Sequence, residues 1–137
     1  MIFSEFQEKQ LSRLGFGAMR LPVLPDGTVD EALTEKMVAY AMDHGVNYFD
    51  TAWPYHNGES EYVMGRILSK YDRGSFYLAD KFPGHQHSDS YDPAAIFEKQ
   101  LKKCGVEYFD FYLLHNVYER SMSVYTPLPL RLRGKNI

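Results

Sequence analysis

Four residues of different chemistry stand at nearly constant intervals along this chain. Gly17 and Asp50 are 33 positions apart, Asp50 and Lys81 are 31 apart, and Lys81 and His115 are 34 apart. Each closes, or lies within, a short apolar run: residues 14–21, 46–50, 76–81 and 108–115. Three stretches of helical periodicity lie between these runs. Strands joined by helical crossovers run parallel and end on the same side of their sheet. Runs that are apolar on both faces fit such a sheet, covered on one side and filled on the other.

The helices carry their own punctuation. Thr28-Val29-Asp30-Glu31 fits a capping box, followed by a buried stripe of Leu33, Met37, Val38 and Ala41 and a stop at Gly45. A second helix is expected over about residues 60–71, burying Val63, Met64, Ile67, Leu68 and Tyr71. Asp92-Pro93 starts a third, with Asp as N-cap and Pro in the first helical position. Its inward residues are Ile96, Phe97, Leu101 and Cys104, and Gly105 ends it. Residues 2–6 and 10–14 could pair as an N-terminal β-hairpin. Eight strand–helix units of this length make roughly 250 residues, the size of a (β/α)8 TIM barrel. The 137 residues here hold about four. The fold class expected is therefore α/β, a partial (β/α)8 barrel over residues 1–126, with an irregular tail over 127–137.

Composition narrows the function. A net charge of −3 argues against a nucleic-acid partner, and no apolar run approaches a membrane span. The first residues do not read as a signal peptide. The single cysteine, Cys104, rules out an intrachain disulfide and an all-cysteine metal site. It fits a cytoplasmic setting, with Cys104 as a small core residue.

Parallel strands bring Asp50, Lys81 and His115 to one end of the sheet, and Tyr55 lies on the loop leaving it. That end is where parallel barrels carry their chemistry. A free tyrosine titrates near ~10, and a nearby ammonium favours its phenolate. Lys81 could supply that ammonium, Asp50 could hold it, and a neutral His115 could offer a second donor. Two donors aimed at one point suit a carbonyl gaining negative charge. Each residue also has a plain structural reading: a turn carboxylate, a packing tyrosine, a solvated loop lysine, a satisfied histidine. Asp80 reads as a strand-end surface residue, and Glu61 as a first-turn helix residue.

At these residues the sequence resembles the aldo-keto reductases. Asn47-Tyr48-Phe49-Asp50-Thr51-Ala52-Trp53-Pro54-Tyr55 is similar to the family segment carrying its Asp and Tyr. Ala79-Asp80-Lys81-Phe82-Pro83 resembles the segment with its Lys, and Asp110-Phe111-Tyr112-Leu113-Leu114-His115 the one with its His. Tyr55-His56-Asn57-Gly58-Glu59-Ser60-Glu61 is similar to a bacterial subgroup that often carries a C-terminal ferredoxin-like extension, whose four cysteines are absent here. The resemblance implies NADP(H)-dependent reduction of an aldehyde or ketone, with catalytic Asp50, Tyr55, Lys81 and His115. It implies a small-molecule carbonyl substrate. It also implies a nicotinamide pocket lined by Gly17, Ala18, Met19 and Asp50.

The resemblance covers about residues 14–126, less than half of such an enzyme. The late strands that give the family most of its cofactor contacts have no counterpart. Residues 127–137 hold three basic residues and no acidic one, and read as a truncated or frame-shifted end. Reduced activity, weak NADPH affinity and self-association through open sheet edges are expected. The alternative is a non-catalytic half-barrel or interaction module. A metal site on His56, His85, His87 and His115 is a third reading, for which no spacing places a third ligand.

Overall fold

The computed structural model describes residues 1–86, 92–119, 131–132 and 135–136. Strands β1 (Phe3–Phe6) and β2 (Lys9–Ser12) form the expected antiparallel hairpin. Gln7 and Glu8 turn the chain with φ of 47° and 62°, the hand that matches strand twist in a two-residue turn. There follow β3 (Phe16–Gly17), α1 (Glu31–Asp43), β4 (Tyr48–Asp50), α2 (Ser60–Leu68), β5 (Tyr77–Phe82), α3 (Pro93–Cys104) and β6 (Phe111–Leu114). Strands β3 to β6 make one parallel sheet in chain order, with Gly17, Asp50, Ala79 and Phe111 in register. This is part of an α/β barrel, as the strand–helix spacing predicts.

In the tail, β7 (Arg131–Leu132) pairs antiparallel with β8 (Lys135–Asn136). The other residues from 127 onward lie outside the described residues.

The sheet's two faces follow from its period of two. Phe49, Leu78 and Tyr112 point towards the helices and join Val38, Val63, Met64, Ile67, Phe97, Cys104 and Phe109 in the core. Fully burying a side chain of this kind stabilises by about 1.5–3 kcal/mol. Tyr48, Tyr77 and Phe111 alternate with these and form an aromatic layer on the inner face. The hairpin covers that layer: the Phe6 ring lies 6.0 Å from that of Phe111, tilted by 41°. Asn47 clasps the hairpin to the foot of β4. Its Oδ1 accepts from Ser12 N at 2.8 Å, its backbone N–H donates to Ser12 Oγ at 3.0 Å, and its Nδ2 donates to Gln10 O at 2.8 Å.

Several local expectations shift. The strand expected over 14–21 is only Phe16–Gly17, followed by a 3-10 turn at Ala18–Arg20. Leu21 N–H donates to the His56 side chain and not to a neighbouring strand. The cap of α1 is Asp30, whose Oδ1 accepts from Leu33 N at 2.9 Å, and not Thr28. Both Thr28 donors are taken by Asp26, at 3.0 and 2.6 Å. The face that α1 buries is set by Thr34 and Val38, while Leu33 and Met37 are exposed. Helix α2 ends at Leu68, not near 71, and β6 begins at Phe111, not 108. The third helix starts as expected, with Asp92 accepting from Ala94 and Ala95 and Gly105 closing it at φ 64°.

Helices α2 and α3 meet at Gly65. A methyl group there would lie 2.4 Å from the Cys104 carbonyl oxygen, so only glycine permits this approach. Behind them Arg73 stacks 4.0 Å from the Tyr108 ring and pairs with Asp110 at 2.7 Å. The same Asp110 oxygen accepts from Leu78 N, joining the starts of β5 and β6.

Candidate active site

The inner face continues above the aromatic layer. Two residues on from Tyr48 is Asp50; four on from Tyr77 is Lys81; four on from Phe111 is His115. Parity alone therefore sends these three side chains to one face, at the C-terminal ends of the strands. Lys81 does not close its strand, since β5 runs on to Phe82. His115 follows β6, and its N–H donates to Phe82 O at 3.0 Å.

Lys81 Nζ lies 2.5 Å from Asp50 Oδ1 and donates to Thr51 O at 2.8 Å. The pair is only partly buried, with Lys81 13% and Asp50 24% exposed. The same ammonium sits 4.9 Å from the centre of the Tyr55 ring. The rings of Tyr55 and His115 meet edge to face at 5.7 Å and 90°. All four expected catalytic residues thus come together.

Tyr55 is placed by an unusual turn. Residues Tyr55–Gly58 form a 3-10 turn in which His56 and Asn57 have φ of 50° and 54°. Left-handed backbone is uncommon outside glycine. His56 Nε2 accepts the Leu21 N–H at 2.9 Å, which ties this turn to the segment leaving β3. His56 is thus an acceptor for a backbone donor. His87, and the side chain of His85, lie outside the described residues. Among the described residues no three His, Cys, Asp or Glu side chains gather as a metal-binding group.

Gly17 stands in register with Asp50, and among the described residues a Cβ on it would meet nothing within 4 Å. Met19 is exposed beside it, while Ala18 is fully buried and its carbonyl accepts from Ser60 Oγ at 3.3 Å. Tyr48 also neighbours Asp50. Burial, with the Asp50 charge added, pushes its phenol up to about 12, so it is a poor proton donor.

Across β5 lies a second polar cluster that the sequence did not reveal. Asp80 is wholly buried, not a surface residue, because it points to the helix side between Leu78 and Phe82. Glu61 is also wholly buried and pairs with Lys103 at 2.5 Å. Burial, then the neighbouring Glu61, raises the Asp80 carboxyl well above its usual range. Gln100 donates to Glu61 Oε1 at 2.9 Å and to Lys81 O at 3.1 Å, and accepts from Tyr112 OH. One signal was available: Gln100 lies three residues after Phe97 and four before Cys104, on the buried stripe.

Among the described residues no helix is long and apolar enough to cross a membrane. The model of the aldo/keto reductase family matches residues 13–124. The probable aldo-keto reductase 1 of Glycine max is 30% identical over 116 residues, covering 79% of this chain and 34% of the plant protein. A thermostable aldo-keto reductase solved with the inhibitor epalrestat has a TM-score of 0.72 at 23% identity, covering 90% of this chain and 48% of that one. An aldo-keto reductase from Klebsiella pneumoniae, solved with NADPH, has a TM-score of 0.66 at 24% identity, covering 80% and 37%. The chain spans about a third of the length of the curated relatives it matches. From the match across most of its length, and from the fold, the chain belongs to the aldo/keto reductase family.

Proposed function

We propose that this chain carries the proton-donating half of a carbonyl-reducing site that works with NADP(H). The reaction is reduction of an aldehyde or ketone to an alcohol. One observation carries the reading: the Lys81 ammonium is bracketed by Asp50 and the Thr51 carbonyl while it sits beside the Tyr55 ring, which the His115 ring meets edge to face.

The substrate oxygen is received by the Tyr55 hydroxyl, with the His115 ring as the second polar group at that point. As negative charge develops on this oxygen, Tyr55 gives up its proton. The Lys81 ammonium offsets the charge left on the phenol oxygen. Asp50 and Thr51 O hold that ammonium, so little reorganises during the step. When bound, a nicotinamide supplies the hydride for the carbonyl carbon. The residues fit such a group: no described residue stands over Gly17, Asp50 is in register beside it, and Met19 is exposed two residues on. Ala18 contributes only backbone there, since its side chain is in the core.

The test is carbonyl reduction followed by loss of NADPH absorbance. Tyr55→Phe is expected to abolish turnover while leaving cofactor affinity as it was. Undiminished turnover in that variant would sink the assignment.

A further inference from the structure

Helix α3 reaches the site from behind the sheet through two side chains one turn apart. Gln100 donates to the carbonyl of Lys81 itself. Lys103 Nζ donates to Gly58 O at 3.2 Å, at the end of the turn that carries Tyr55. Its ammonium also lies 4.3 Å from the ring of Trp53, at the start of the same loop. Glu61 binds both helix residues, Gln100 through one oxygen and Lys103 through the other. Both Glu61 and Gln100 are wholly buried, and the Lys103 side chain is 9% exposed.

We propose that Lys103 and Gln100, joined by Glu61, are positioning residues that hold the Tyr55 loop and the Lys81 strand at one fixed separation. The proposal rests on the reading that Tyr55 and Lys81 are catalytic. Neither positioning residue touches the reacting atoms. Their effect passes through two backbone carbonyls, those of Gly58 and Lys81. Holding reacting groups at a set geometry is a large part of what a site contributes to rate. The left-handed residues His56 and Asn57 make the loop costly to hold, so an anchor at Gly58 matters more than it would on a regular turn.

Trp53 is the chain's only tryptophan, so its emission reports on this loop without substrate or cofactor. The test compares the unaltered chain with the double variant E61Q/K103M, which removes both charges and leaves side chains of similar length. Its circular dichroism is expected to be retained. Acrylamide quenching of Trp53 is expected to rise about twofold as the loop opens locally. Quenching like that of the unaltered chain, with the helix signal intact, overturns the proposal. A second measurement needs no variant. In reductive methylation of the unaltered chain, Lys103 should react about tenfold more slowly than exposed Lys102, because reaction waits on opening of the buried pair. Equal rates at the two lysines overturn the proposal even if the double variant fails to fold. Failure of the carbonyl-reducing reading shows up separately, as normal turnover of Tyr55→Phe.

Discussion

Lys81 and Lys103 make ion pairs of the same length, 2.5 Å, on opposite faces of β5. Lys81 and Asp50 remain partly open to solvent. Lys103 faces a Glu61 that water does not reach. An ion pair that is open on one side can change its charge state or accept a new neighbour at moderate cost. A closed one cannot, because a buried charge without its partner is strongly disfavoured. The strand thus separates a pair suited to chemistry from a pair suited to holding shape.

The largest expected effect breaks the open pair. Lys81→Met should lower carbonyl reduction by about 10²–10⁴-fold, the range attributed to a positioned proton-transfer group. Its melting temperature should move little, since Asp50 can be solvated. Turnover within tenfold of the unaltered protein would remove Lys81 from the catalytic set.

The closed pair should behave in the opposite way. Lys103→Met leaves the buried Glu61 without its cation and is expected to cost about 3–5 kcal/mol of stability. The double variant E61Q/K103M should cost clearly less. Urea unfolding of the three proteins measures this, and equal costs for single and double variants would mean that the pair is not a coupled unit.

A smaller effect is expected where α2 meets α3. Gly65→Ala places a methyl against the Cys104 carbonyl and should cost about 1–3 kcal/mol by overpacking. An unchanged unfolding midpoint would show that the helices can part.

The smallest effect concerns Asp80. Its folded carboxyl keeps a proton at pH values where the unfolded chain has already lost it, above about 3.8. The native state therefore binds more protons there, and stability falls as pH rises from that value towards neutrality. Asp80→Asn cannot lose this proton, so its stability should fall less between pH 4 and pH 7 than that of the unaltered chain, in paired unfolding curves. Parallel curves would show that folding does not raise the Asp80 carboxyl.

The contrast between the two faces also separates what the sequence revealed from what it hid. Asp50, Lys81 and His115 were legible because strand spacing and the parallel arrangement bring them to one end. Asp80 was misplaced although it obeys the same alternation, two residues after Leu78 and two before Phe82. A carboxylate beside a loop suggested solvent, and only the packed helices show otherwise. Glu61 and Lys103 are 42 residues apart in sequence, and nothing local announces their pairing. In α1, Leu33 and Met37 drew the buried stripe to the wrong phase, because Thr34 did not count as apolar. Thr34 is nevertheless wholly buried, its hydroxyl satisfied by the Asp30 carbonyl at 2.7 Å.

The clasp made by Asn47 at the foot of β4 has a consequence at the other end of that strand. Three hydrogen bonds from one residue fix where counting along β4 begins, and Asp50 is the third residue after it. At about 3.3 Å per residue, the clasp sits only about 10 Å below the Asp50 carboxylate. A slip of one residue would turn Asp50 towards the helices and bring Phe49 or Thr51 into its place. Asn47 is in this sense the zero mark of a short ruler, and the N-terminal hairpin is the weight that keeps the ruler from sliding.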